Sequence, residues 1–145
     1  MSPEILAGTI GCEWNAWLKA DVYSLGILFW EILSRYPFSE GSIVYACFRV
    51  RYDLILGDGS SQNYEMPFER QLVERKLEVV NPSVEDMIKV IQLQSPLNRP
   101  LVDPIWSDRF GEIVRTMEQC WDQNPDGRIT AALVAQRMEI LLEAN

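Results

Sequence analysis

The densest apolar pattern in the chain runs through residues 19–35, KADVYSLGILFWEILSR. Ala20, Val22, Tyr23, Leu25, Ile27, Leu28, Phe29, Trp30, Ile32 and Leu33 cannot share one stripe of a 3.6-residue period. A helix apolar on every side is either a membrane span or the buried centre of a domain. The run from Val22 to Trp30 is shorter than the ~20 residues a bilayer needs, and Glu31 and Arg35 close it. The pattern therefore predicts a buried core helix over about 21–35, stopped by Tyr36-Pro37, with the other segments packed around it. Asp21 falls in its first turn, where the helix dipole favours a carboxylate.

Weaker patterns fill in the rest. Residues 1–8 read as a short helix with Ser2 as cap, Pro3 at the first position, Glu4 at the positive end and Gly8 as stop. Residues 9–18 read as a linker whose Trp14 and Trp17, three apart, fall on one side for packing. Residues 43–56 are rich in β-branched and aromatic side chains and would pass for a strand or hairpin, followed by a flexible turn at Gly57–Ser61. A short polar helix is predicted over about 68–76. The next helix is capped by Asn81, with Pro82 at its first position and Val84, Met87, Ile88 and Ile91 as its apolar face. Residues 98–106 read as extended and proline-bounded, and a helix follows over about 108–121 with Phe110, Ile113, Val114, Met117 and Cys120/Trp121 at helical spacing. Asn124-Pro-Asp-Gly127 is a turn. The last helix starts at Thr130 as cap and runs to about Glu143, with Ala131, Val134, Met138, Leu141 and Leu142 inward. The fold class is mainly α, with a loop-rich middle.

Composition narrows the function. The 145 residues are 48% hydrophobic and 23% charged, a globular balance. A net charge of −8 disfavours a nucleic-acid partner or an anionic membrane surface, both of which reward basic patches. Cys12, Cys47 and Cys120 form no C-x-x-C, and an odd, sparse set predicts reduced thiols, usually buried. Histidine is absent, so a His-based triad or His-containing metal site is excluded. Gly57-Asp-Gly-Ser-Ser61 lacks the lysine and the helix of a phosphate-binding loop.

Met1-Ser-Pro-Glu4, Asp21-Val-Tyr-Ser-Leu-Gly26 leading to Trp30-Glu31, Arg99-Pro100, and Cys120-Trp-Asp-x-x-Pro-x-x-Arg128-x-Thr130 occur in an order that resembles the C-terminal (large) lobe of protein kinases, from the A-P-E motif onward. Tyr64-Glu-Met-Pro-Phe-Glu69, Pro82-Ser-Val-Glu-Asp-Met87 and the string from Cys120 to Arg137 resemble the transforming-growth-factor-β, activin and bone-morphogenetic-protein receptor serine/threonine kinases, type II rather than type I. The resemblance implies a partial kinase domain over 1–145, with helices around the central helix at about 21–35. Residues 42–57 fall outside it, as an insertion or mis-spliced segment. Ser2 stands where the family has alanine. Met1 matches a methionine just before A-P-E, which implies an internal residue of a longer protein.

Residue by residue, the resemblance implies that Glu4 pairs with Arg128. It implies that Asp21 accepts backbone hydrogen bonds from the catalytic loop, and that Trp30 and Trp121 are structural positions. The plainer readings are two unrelated surface charges and a helix-dipole carboxylate. The family uses ATP with Mg2+ or Mn2+. The parent would be a plasma-membrane receptor with this part in the cytoplasm, with a type I receptor kinase and a TGF-β-superfamily ligand as partners. The Gly-rich loop, strand lysine, H-R-D-x-x-x-x-N and D-F-G of kinase chemistry do not occur in the 145 residues, so no catalytic, cofactor or metal residue is expected here. Lacking that half of the lobe, one side of the core helix and Asp21 would have no partners. Marginal stability and exposed apolar surface are the expectation. The alternative function is a non-catalytic, kinase-derived interaction module or decoy.

Overall fold

The computed structural model describes residues 1–35, 67–68, 83–91 and 99–144, and every regular element among them is helical. The fold is mainly α, consistent with a subfragment of a kinase large lobe. α1 is Pro3–Leu6, with Pro3 presetting the first turn. Ser2 occupies the cap position in extended backbone, but its side chain makes no capping bond. Gly8 leaves the helix at φ 66, a left-handed conformation that glycine adopts without a Cβ clash.

α2 spans Trp14–Arg35 and so begins well before the expected residue 21. Trp14 to Lys19 contains no glycine or proline, and extending an existing helix costs far less than starting one, so the supposed linker joins it. Asp21 therefore lies two turns inside and is exposed, out of range of the dipole effect proposed for it. The helix is also not buried on every side. Ala20, Val22, Tyr23, Gly26, Trp30 and Leu33 are buried, while Trp14, Trp17, Leu28 and Ile32 are exposed. Packing of the two tryptophans is thus corrected: they share a side, and that side faces outward.

α3 is Val84–Ile91. Ser83 begins it, accepting from the Asp86 amide at 3.1 Å while its hydroxyl donates to the Asp86 carboxylate at 2.7 Å. The expected cap, Asn81, lies outside the described residues. Val90 and Ile91 are buried, and Val84 points outward. α4 is Pro104–Cys120, starting four residues ahead of expectation. Pro104 does not block it, because the first helical position needs no amide donor, and the buried Asp103 side chain accepts from Ile105 N at 2.9 Å. Phe110 interrupts it with a kink at φ −133, ψ 39. A 3-10 turn at Pro125–Gly127 precedes α5, Ala131–Glu143, which Thr130 caps by accepting from Leu133 N at 3.2 Å. Val134 faces in, whereas Ala131 and Leu142 face out. Phe68, the expected start of a polar helix, is a buried turn residue at φ 67. The strand or hairpin at 43–56, the turn at 57–61 and the segment at 42–57 lie outside the described residues.

The core lies between α2 and α4. Tyr23, Trp30 and Leu33 meet Trp106, Val114, Met117 and Trp121. Trp30 and Trp106 stand edge to face, with centroids 6.2 Å apart at 69°. Trp30 Nε1 donates to the Leu101 carbonyl at 2.7 Å, which satisfies its one polar atom inside the core. A second cluster, Val22, Cys120 and Val134, seats α5 against both helices. A third joins Phe68, Val90 and Ile91 to Leu6 and Ile27, which brings α3 against α1 and α2.

Candidate functional site

Arg128, directly after the 3-10 turn, has a densely bonded side chain. The turn is built locally. Asp122 Oδ1 accepts from Asn124 N at 2.8 Å, and Asn124 Oδ1 accepts from Asp126 N at 3.1 Å. A Cβ on Gly127 would stand 3.0 Å from the Asp122 carboxyl, so a side chain there crowds the loop. Arg128 is extended, at φ −71 and ψ 140, and its side chain is buried. Nε donates to Asp122 O at 2.8 Å, Nη1 to Glu4 Oε1 at 2.6 Å and to Lys19 O at 2.9 Å, and Nη2 to Glu4 Oε2 at 2.9 Å. This is the two-pronged carboxylate geometry that suits a planar guanidinium. Lys19 Nζ returns a bond to Arg128 O at 2.7 Å. One residue thus ties α1, α2 and the turn together.

The electrostatics follow from that packing. Burial works against the Glu4 carboxylate. The Arg128 hydrogen bond and charge outweigh it and hold the carboxyl below its ordinary value. The Tyr23 ring lies 4.9 Å from the Arg128 guanidinium carbon and 5.3 Å from that of Arg99, both within cation–π range. Burial pushes the Tyr23 phenol up, with the two arginines opposing. Arg99 is lowered by burial, and it donates from Nε to Trp121 O at 2.7 Å and from Nη2 to Gln123 Oε1 at 2.8 Å.

The structure brings Glu4 and Arg128 together. Trp121 joins the same junction through its carbonyl, and Trp30 lies in the adjoining core. Asp21 does not join them: it is exposed, with no hydrogen-bond or ion-pair partner among the described residues. Sequence reasoning missed Lys19 and the role of the Tyr23 ring, neither of which carries a local signal. Arg99 was marked only as part of Arg99-Pro100. The cysteines divide. Cys12 is exposed, against expectation, while Cys120 is buried and its thiol is pushed up to about 11 by burial. Cys47 lies outside the described residues.

The arrangement is a clamp. Both Glu4 oxygens are committed to Arg128, so a shallow groove between Pro3, Thr9 and Pro125 offers no free carboxylate. No group of three or more His, Cys, Asp or Glu among the described residues could hold a metal ion. No described helix is long and apolar enough to cross a membrane.

A mainly α fold with a buried carboxylate–guanidinium clamp beside its central helix is the class these features define. No protein-family model matches the chain. It is similar to activin receptor type-2A of Gallus gallus, 29% identical over 140 residues, and to that of Homo sapiens at 28%. Activin receptor type-2B of Xenopus laevis is 27% identical over 140 residues. Each match takes in 95% of this chain, and the chain spans 22% of the length of these curated relatives. The likeness supports a kinase-family relationship, in keeping with the motifs.

Proposed function

We propose that the chain is part of the large lobe of a receptor serine/threonine kinase of the activin type-2 kind, running from the A-P-E position to the last helix. The observation that carries this reading is the bidentate Glu4–Arg128 clamp, joining residues 124 apart in sequence. In this reading the clamp fastens the end of the activation segment to the helical lobe. Asp21 waits for a catalytic loop encoded elsewhere. The parent protein would transfer the γ-phosphate of ATP to Ser or Thr of a type I receptor, in the cytoplasm beneath the plasma membrane, under control of a TGF-β-superfamily ligand. This stretch contributes the scaffold rather than the chemistry, because phosphoryl transfer depends on positioned bases, metals and a phosphate cradle.

Titration calorimetry with Mg-ATP tests the claim for the chain itself: no binding heat is expected, and micromolar affinity would overturn it. The transcript upstream of Met1 tests the parentage. An open frame encoding H-R-D and D-F-G supports it, and an in-frame stop with no such motifs removes it. A second reading, a non-catalytic interaction module derived from a kinase, is favoured by the exposed apolar side of α2.

A further inference from the structure

The Glu4 carboxylate is held by groups that do not need it in order to stay in place. Arg128 Nε donates to Asp122 O at 2.8 Å, Nη1 donates to Lys19 O at 2.9 Å, and Lys19 Nζ donates to Arg128 O at 2.7 Å. All three bonds lie within α2 and the segment around the 3-10 turn. The Tyr23 ring, also on α2, flanks the guanidinium at 4.9 Å. With Glu4 taken away, the guanidinium therefore keeps its orientation and still presents Nη1–H and Nη2–H side by side. The Tyr23 hydroxyl is buried without a hydrogen-bond partner, a donor left over on the same ring. The element that delivers Glu4 is the weakly held part. α1 is four residues long, and the chain leaves it through Gly8 at φ 66, an exposed position where an added Cβ meets nothing. The Glu4 side chain is itself 13% exposed and lines the shallow groove with Pro3, Thr9 and Gln123, so the site opens to solvent.

We propose that the Arg128 pocket is a preformed carboxylate-binding site, in which Glu4 is a built-in ligand that a free carboxylate can replace. Planarity selects the ligand class. Two parallel N–H donors on a planar guanidinium match the two oxygens of a carboxylate. Size selects it further. Beyond Cβ, the Glu4 side chain is two carbons and two oxygens, which are the heavy atoms of acetate. Replacing Glu4 by alanine thus leaves a void of acetate's shape beside an oriented cation. A buried guanidinium without its counter-charge is strongly destabilising, so filling the void with an anion restores the missing partner. In the intact chain Glu4 is tethered beside the site, and its effective concentration there outcompetes dissolved carboxylates. A carboxylate from outside gains the site only when α1 lifts away. This inference rests on the geometry of the clamp and stands apart from the kinase reading.

Urea melts of the full chain carrying Glu4→Ala, in sodium acetate and in sodium chloride of equal ionic strength, test it. In chloride the midpoint should fall well below that of the unsubstituted chain. Acetate should recover at least half of the loss, and the recovery should grow with the logarithm of acetate concentration. Formate underfills the void and propionate overfills it, so both should recover less. Glu4→Gln fills the void with its own amide and should not respond to acetate. Removing the cation as well, in Glu4→Ala with Arg128→Met, should abolish the response. Where Glu4→Ala does not fold in chloride, sucrose favours the compact state, and binding is then read as broadening of the acetate methyl proton resonance. Equal midpoints in acetate and chloride, with no broadening in sucrose, overturn the proposal. A rise of the same size in Glu4→Gln marks a general salt effect and also overturns it. Recovery by inorganic phosphate beyond that by acetate overturns the carboxylate assignment.

Discussion

Gly26 sits where α2 packs against the C-terminal end of α4. A Cβ built there would stand 2.9 Å from Cys120 Cβ, 3.1 Å from Met117 O and 3.2 Å from Trp121 N. Two of those three atoms are backbone and cannot rotate away. Gly26→Ala should therefore push the helices apart and cost about 1–3 kcal/mol, despite the better helix propensity of alanine. A urea melt would check this; a neutral or stabilising result would mean that the two helices have room to separate. Trp30 makes a related point. Trp30→Phe keeps most of the ring but leaves the Leu101 carbonyl without its donor, at a cost of about 1–3 kcal/mol in the same assay.

Short elements depend on tertiary partners more than long ones do. α1 has four residues, too few to be stable alone, and its place is fixed by Glu4 reaching Arg128. Removing the carboxylate leaves a buried guanidinium without its counter-charge, so Glu4→Gln should cost about 3 kcal/mol. The pair also sets an acid limit. Folding lowers the Glu4 pKa from its ordinary 4.5, so the unfolded chain takes up the proton first as pH falls. The pair's contribution is full above that ordinary value and is lost as pH drops through the lower folded value. Glu4→Gln should flatten this part of the stability–pH curve. An unchanged acid limb in the variant would show that other carboxylates govern it.

At the scale of the molecule, the described residues pack one face of α2 and leave Trp14, Trp17, Leu28 and Ile32 on the other exposed. The chain should bind a hydrophobic dye through the exposed Trp14, Trp17, Leu28 and Ile32. No dye binding, together with a sharp cooperative melt, would contradict both the marginal stability and the exposed apolar side of α2.

How much was legible depended on range. Thr130 as cap and the turn at Asn124 to Gly127 follow from local backbone chemistry, and the structure has them. α2 and α4 start earlier than the sequence predicts, because tryptophan-rich and proline-led stretches read as linkers when helix continuation is not weighed. Period alone turns Ala131, Val84 and Leu142 inward, yet a period does not say which neighbour is present to bury a side chain, and all three are exposed.

By itself the sequence determined the helical class, the central helix and the Thr130 cap, since these rest on contacts within a few residues. Only the tertiary structure decided that Lys19, Tyr23 and Arg99 converge on the Glu4–Arg128 clamp, and that Trp14, Trp17, Leu28 and Ile32 face outward. The physical reason is that a helix's own pattern offers apolar faces, while burial of any one of them requires another element placed against it.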